Sequence, residues 1–154
     1  MNEESRSQLY IPALGGLYSS LEWLAHPLLR VFVGLNLMPH GAQKLFGMFG
    51  GGGLSGTGGF LESIGYTPGL FWAMAIGVVE FFGGLALVLG LFTRPVALAV
   101  AIFMATAVMF HLGKGFFWTG GGYEYPLLWG ITALFLALRG SGPLSLDRAI
   151  GKEF

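Results

Sequence analysis

Residues 70–112, LFWAMAIGVVEFFGGLALVLGLFTRPVALAVAIFMATAVMFHL, hold two apolar runs joined by one short turn. A helix needs roughly 20 mainly apolar residues to cross the hydrocarbon of a bilayer. The runs 70–91 and 95–112 approach that length, and between them Gly90 ends one helix while Pro95 opens the next. This pattern predicts an antiparallel helical hairpin in a membrane. Bulk composition agrees, because 54% of the 154 residues are hydrophobic and only 10% are charged, against roughly 25% charged in soluble domains. Mean hydropathy is +0.69.

Two further spans flank the hairpin. One covers about 24–45, and the other about 123–139, whose apolar part from Tyr125 to Leu138 gives only ~21 Å of helix rise. Phe116, Phe117, Trp118 and Tyr123 precede it as an aromatic belt would. Residues Leu9 to Trp23, interrupted by Pro12, Gly15 and Gly16, are expected to form an interfacial segment leading into the first span. The expected fold is all-α: a single transmembrane domain over 1–154, an integral membrane four-helix antiparallel bundle. Outer loops at 46–69 and 113–122 join its spans.

Charge sets the expected orientation. Four spans place both termini on one side, together with Arg6, Arg94, Arg139, Arg148 and Lys152. Lys44 and Lys114 fall on the other. Basic residues favour the cytoplasm, so both termini are expected there, in a bacterial-type inner membrane. The polar, acidic start Met1-Asn2-Glu3-Glu4-Ser5-Arg6 has no basic region leading into an apolar core, and a cleaved signal peptide is not expected. Net charge is zero, with no basic run, so nucleic acid is excluded as a natural partner. The chain has no Cys, which removes disulfides, thiol redox centres and thiolate metal ligands. Redox chemistry here would need a bound cofactor or a partner protein.

Seven ionisable residues sit in or against the apolar stretches: Arg30, His40, Lys44, Glu80, His111, Lys114 and Glu124. A charge in hydrocarbon costs a few kcal/mol or more, so such residues are expected to face the bundle interior with partners. At 1.5 Å per residue, His40 and His111 each lie ~24 Å above the inner ends of their helices, with Lys44, Lys114 and Glu124 slightly further out. Arg30 lies ~9 Å and Glu80 ~16 Å above the inner end, close enough to suggest an ion pair between them. On the first span Arg30, Asn36, His40, Gln43 and Lys44 fall within an arc of about 140°. On the second, Ala73, Gly77, Glu80 and Gly84 share a stripe of mostly small residues that favours close helix approach. Exposed stripes of this kind would permit a homo-oligomer.

The expected site is a polar head-group pocket near the outer face. His40, Lys44, Glu80, His111 and Glu124 are its candidate reactive groups, with Arg30, Asn36, Gln43 and Lys114 as supporting ligands. A quinone suits such a place: it needs an apolar slot beside His, Lys or Glu groups that donate hydrogen bonds and protons. The chain's 14 Phe, 4 Trp and 5 Tyr make that slot easy to build. A cofactor-free protein ranks second. Haem ligated by His40 and His111 ranks lower, as does a metal held by those residues with Glu124. The run Gly50-Gly51-Gly52-Gly53 lacks the Lys-Ser/Thr of a phosphate-binding loop. Its composition suggests a flexible loop, with Phe60, Leu61, Ile64 and Tyr66 after it forming a short amphipathic lid.

Four stretches together resemble the DoxX family of small four-helix membrane proteins. They are Leu29-Arg30-Val31-Phe32-Val33-Gly34 through Pro39-His40-Gly41-Ala42-Gln43-Lys44-Leu45-Phe46-Gly47; Glu80-Phe81-Phe82-Gly83-Gly84 through Thr93-Arg94; Tyr123-Glu124-Tyr125-Pro126-Leu127-Leu128; and Gly140-Ser141-Gly142-Pro143-Leu144-Ser145-Leu146-Asp147. The resemblance puts Arg30, Gly41, Lys44, Glu80, Gly84, Arg94, Glu124 and Asp147 at the family's characteristic positions. It implies a quinone-linked redox membrane protein, because some members resemble subunits of thiosulfate:quinone oxidoreductase and others accompany redox or detoxification systems. A protein partner from such a system, membrane lipid and quinone are the expected partners. A scaffold that docks a soluble redox enzyme and a small transporter or channel are the alternatives.

Overall fold

A computed structural model describes residues 9–154; Arg6 and the rest of the acidic N-terminal stretch lie outside them. The described residues form helices joined by turns and short irregular stretches, with no strand. Six α-helices follow in chain order: α1 Gly15–Phe46, α2 Gly53–Ser63, α3 Gly69–Leu89, α4 Thr93–His111, α5 Glu124–Arg139 and α6 Leu146–Ala149. Two of them are long and apolar enough to cross a membrane: α3, and α4 with the 3-10 turn Leu112–Lys114 that continues it. The remaining long helices differ from that pattern for separate reasons. α1 carries Glu22, Arg30 and Lys44, and α5 has 16 residues, about 24 Å of rise.

The Leu9–Trp23 segment is less broken than its sequence suggests. Pro12–Leu14 form a single 3-10 turn, and Gly15 and Gly16 begin α1 itself. The helix then runs unbroken through Pro27 and Pro39 to Gly47, whose left-handed backbone (φ 68°) ends it. The glycine-rich connection is also ordered into structure. It contains α2, which packs on α1 and α3, with Leu61 buried beneath it.

α1 packs along α3, and α4 packs along α5. Both pairs are antiparallel. On α1 and α3, Gly34 meets Gly84 and Val88, Gly41 meets Phe81, and Leu45 meets Gly77. A Cβ added at Gly34 would fall on the Gly84 carbonyl oxygen, and one at Gly41 on the Phe81 backbone. Small residues thus let the two backbones touch, the packing mode favoured between helices in lipid. Val33, Leu37, Leu87, Ala97, Val100, Met104, Ala133 and Leu136 form one buried core drawn from α1, α3, α4 and α5.

The two ends of this assembly are built differently. At the hairpin end, Gly90 (φ 67°) closes α3 and the turn to α4 is immediate. The first backbone donors of α4 have no local side-chain cap. Asp147, at the start of α6, supplies one: its carboxylate accepts hydrogen bonds from Phe92 N (2.8 Å) and Thr93 N (2.9 Å). Its own N–H donates to Gly90 O at 2.9 Å. Arg30 is buried in the same place and donates from Nη2 to Leu144 O at 2.7 Å. The C-terminal segment is therefore clamped over the turn. At the loop end lie α2 and the Leu112–Tyr123 connection with its second 3-10 turn, Trp118–Gly120.

Two consequences are measurable by thermal or denaturant unfolding in a bilayer mimic. Gly41→Ala is expected to destabilise by about 1–3 kcal/mol through backbone collision. Gly16→Ala, where a Cβ meets nothing within 4 Å, should be neutral or stabilising by up to about 1 kcal/mol. Asp147→Ala strands two helix-terminal N–H groups and should cost about 2–4 kcal/mol.

Candidate functional site

The Lys44 ammonium and the Glu80 carboxylate form the central contact. Lys44 Nζ lies 2.9 Å from Glu80 Oε1 and 2.7 Å from Oε2. The Glu80 side chain is 5% exposed and that of Lys44 26%, so the pair is nearly removed from solvent on one side only. Helix direction explains why they meet. Side chains lean toward the N-terminus of their own helix. In antiparallel helices Lys44 on α1 and Glu80 on α3 therefore lean toward each other. Close approach at Gly41 and Gly77 removes the bulk that would separate them.

The expected Arg30–Glu80 pair does not form. Gly34 sits opposite Gly84 to Val88, so Arg30 comes level with Gly90, against which its guanidinium packs. That is ten residues, or about 15 Å, from Glu80 along α3. The expectation matched the inner ends of the two helices, whereas Leu24 lies about 9 Å beyond the level of Gly90. α1 begins at Gly15, and its register on α3 is set by the glycines rather than by matched ends. Lys44, expected among the reactive groups of the pocket, is the residue that reaches Glu80.

Around this pair, His40 lies one turn back on α1 as an exposed residue, and its carbonyl oxygen is 3.4 Å from Lys44 Nζ. Phe46 and Phe81 meet edge to face at 5.2 Å beside it. Gln43 donates from Nε2 to Phe49 O at 3.3 Å, and Asn36 donates back to Phe32 O at 2.9 Å. Both amides are thus engaged with backbone near their own helix.

His111, Lys114 and Glu124 form a second group on the other connection. His111 Nδ1 is 2.6 Å from Gly121 O; a carbonyl only accepts, so Nδ1 carries the proton and Nε2 is left free. Glu124 Oε2 accepts Trp118 N at 3.1 Å, and Lys114 Nζ lies 5.3 Å from the centre of the Phe110 ring. These contacts shape the Leu112–Tyr123 connection. No hydrogen bond or ion pair among the described residues joins His40, Lys44 or Glu80 to His111 or Glu124. The described residues include no group of three or more His, Asp or Glu placed to hold a metal.

Glu62 was not singled out by its sequence context, yet it accepts Gly69 N at 3.0 Å and caps α3 from α2. At the hairpin end His26, which its place before Pro27 marks as an interfacial residue, has both ring nitrogens buried without protein partners, as have Arg30 Nε and Nη1 and Thr93 Oγ1. The spacing of Glu62 from Pro68 and Gly69, a helix start, was the only sequence signal for its capping role.

Comparison with known proteins agrees with this arrangement of motifs. The DoxX family model matches residues 25–113, a range containing Arg30, Lys44 and Glu80. The chain is 35% identical over 125 residues to a Bacillus subtilis (strain 168) protein named "Putative oxidoreductase CatD", covering 81% of this chain and 86% of that protein. It is 34% identical over 107 residues to "Inner membrane protein YqjF" of Escherichia coli (strain K12), covering 66% and 78%. An uncharacterized Haemophilus influenzae protein is 35% identical over 133 residues, covering 81% and 90%. No solved structure matches the chain. With its family motif in place, and with an inner membrane protein among its relatives, the chain is a membrane protein and belongs to the DoxX family.

Proposed function

We propose that this chain is a four-span subunit of an oxidoreductase system in a bacterial-type inner membrane, and that it presents the Lys44–Glu80 pair to a quinone. The observation that carries the proposal is that pair: a buried carboxylate and a partly exposed ammonium at 2.7 Å, between helices packed closely through Gly41 and Gly77. Isolated ion pairs in apolar surroundings seldom raise stability over a hydrophobic replacement, and ionisable groups at membrane depth point to function. The relative named as an oxidoreductase adds weight to a redox role. α1 and α5 serve as the first and fourth spans, with the hairpin end and both termini cytoplasmic.

The residues present suit a quinone head group. Two of the three Lys44 N–H groups face Glu80 and the third makes only a long contact to His40 O, the exposed His40 stands one turn away, and Phe46 and Phe81 supply an aromatic wall. When bound, the quinone supplies acceptance of two electrons and two protons. The electrons come from a partner redox protein, since the chain has no thiol of its own. Lys44 would hold a carbonyl oxygen with the N–H that otherwise makes the long 3.4 Å contact to His40 O. Movement of one proton from Lys44 Nζ to Glu80 across 2.7 Å would convert the ion pair into a neutral pair without changing the site's proton count, so each proton passed on from the site has to be replaced from solvent. His40 links it to solvent, and His111, Lys114 and Glu124 hold the adjoining aromatic connection in shape.

A second function is favoured by one observation: Phe117 and Trp118 are 70% and 52% exposed on that connection. They suit docking of the redox partner, and a scaffold role would rest on them alone.

Substitutions separate structure from chemistry. Lys44→Met alone leaves Glu80 buried and unpaired, and should destabilise by about 3–5 kcal/mol. Lys44→Met/Glu80→Met should regain near-native stability by unfolding assay while losing quinone-dependent turnover. Full turnover in the double variant contradicts the quinone role. Turnover that instead falls only in Phe117→Ser/Trp118→Ser, with loss of partner capture, supports the scaffold. Orientation is tested by single cysteines in this Cys-free chain: an impermeant maleimide added to spheroplasts should label position 55 and spare position 151.

A further inference from the structure

Among the described residues three that are not glycine take up left-handed backbone conformations, and two of them lie at the hairpin end. Phe92 (φ 48°) is in the α3–α4 turn and Leu144 (φ 55°) in the C-terminal segment. That region is disfavoured for bulky side chains, and nearby the chain fills it with Gly90, Gly140 and Gly142. Buried charges hold the two exceptions in place. Asp147 accepts the Phe92 N–H, and Arg30 donates to the Leu144 carbonyl oxygen. Both side chains nonetheless face outward, Phe92 49% and Leu144 68% exposed. Backbone strain enforced by the surroundings is a pointer to function.

These two residues belong to a larger apolar rim. The Phe154 ring packs on Phe92 at 5.6 Å, and Leu146, Ile150 and Phe154 are exposed as well. Leu146 and Ile150 lie one turn apart, with Ile150 N donating to Leu146 O. Arg148 sits about 160° round that turn from both, so the segment is amphipathic. Its basic residues are left over. Among the described residues no carboxylate lies within 4 Å of the Arg139, Arg148 or Lys152 nitrogens. The acids at this end are engaged elsewhere: both Asp147 oxygens accept backbone N–H groups, and Glu153 accepts Ser141 N and faces Arg94.

We propose that this face rests on a lipid surface rich in anionic head groups. Phe92, Leu144, Leu146, Ile150 and Phe154 dip below the phosphates, and Arg139, Arg148 and Lys152 pair with them. α3 and α5 end here and α4 begins, which puts the face at the membrane boundary in the four-span reading on which the proposal rests. Charge selects this partner. An anionic leaflet supplies counter-ions for the three unpaired cations, whereas a second copy applied to the same face brings like charges together. Arg30 and Asp147 then act as positioning residues that hold Leu144 and Phe92 outward.

The test uses the whole chain in nanodiscs of phosphatidylcholine alone or of an equal mixture with phosphatidylglycerol. A fluorophore is attached at Ile150→Cys in this Cys-free chain, and quenching by a lipid-borne nitroxide is compared with quenching by aqueous iodide. The nitroxide-to-iodide ratio should rise about threefold from the neutral to the mixed discs, and Arg148→Gln/Lys152→Gln should erase the rise. Phe92→Gly/Leu144→Gly should lower the ratio in both discs, yet unfold in detergent at the same or a higher temperature, since glycine relieves the backbone. A ratio indifferent to phosphatidylglycerol, or unchanged in the glycine variant, overturns the proposal. So does a lower unfolding temperature for that variant, which would make the two side chains packing residues. Protection from both quenchers, as a covering protein or second copy would give, overturns it too. Discs expose both membrane faces, so failure of the assumed orientation shows separately, in the maleimide labelling of positions 55 and 151.

Discussion

The α1–α3 backbone contact is the constraint on which the rest of this structure depends. Gly34 against Gly84 and Gly41 against Phe81 fix how far apart the two helices lie and which residues come level. That register decides every polar partnership along the pair. It sets Lys44 beside Glu80 and Arg30 beside Gly90. Helix polarity does the remainder, since side chains leaning toward opposite N-termini close the gap between Lys44 and Glu80. A slip of one turn would leave a carboxylate alone in an apolar interface, which is strongly unfavourable. Packing specificity and charge pairing therefore enforce each other.

The two ends divide the labour. The hairpin end is held by long-range polar contacts: Asp147 caps α4 from 54 residues downstream, and Arg30 ties α1 to Leu144. The loop end has Lys44–Glu80 as its buried ion pair, while its other polar groups shape the connections. His111 and Glu124 hold the Leu112–Tyr123 backbone, and Glu62 ties α2 to α3. Aromatic contacts knit the same end, as Phe60 does with Phe110 and Tyr66 with Trp72. The polar side chains most available to a ligand are accordingly near α1 and α3, with His40 exposed next to the pair.

Local patterns were legible in the sequence, and registers were not. The α3–α4 hairpin could be read because apolar length, Gly90 and Pro95 all act within a few residues. α2 was partly legible: the spacing of Phe60, Leu61 and Ile64 signalled a short amphipathic element, whereas the glycine run before it argued for flexibility. The start of α1 was obscured by Gly15 and Gly16, and pairing the inner ends of the first two spans carried Arg30 toward Glu80. Depth counted from each helix's own end assumes matched ends, and the glycine contacts override that assumption. The Asp147 cap was beyond local reading altogether, since nothing near Phe92 and Thr93 announces a carboxylate from the far end of the chain. His111 and Glu124 were placed near one level, but depth alone does not say whether two groups share a pocket or serve one loop.

The account's central claim is that Glu80 responds to a quinone at this site. Infrared difference spectroscopy on the membrane-embedded protein tests it most directly, comparing oxidised and reduced quinone in the native chain and in Glu80→Gln. The account predicts a carboxyl C=O stretching signal that changes with quinone redox state and is missing from Glu80→Gln. Identical difference spectra for the two proteins would contradict it.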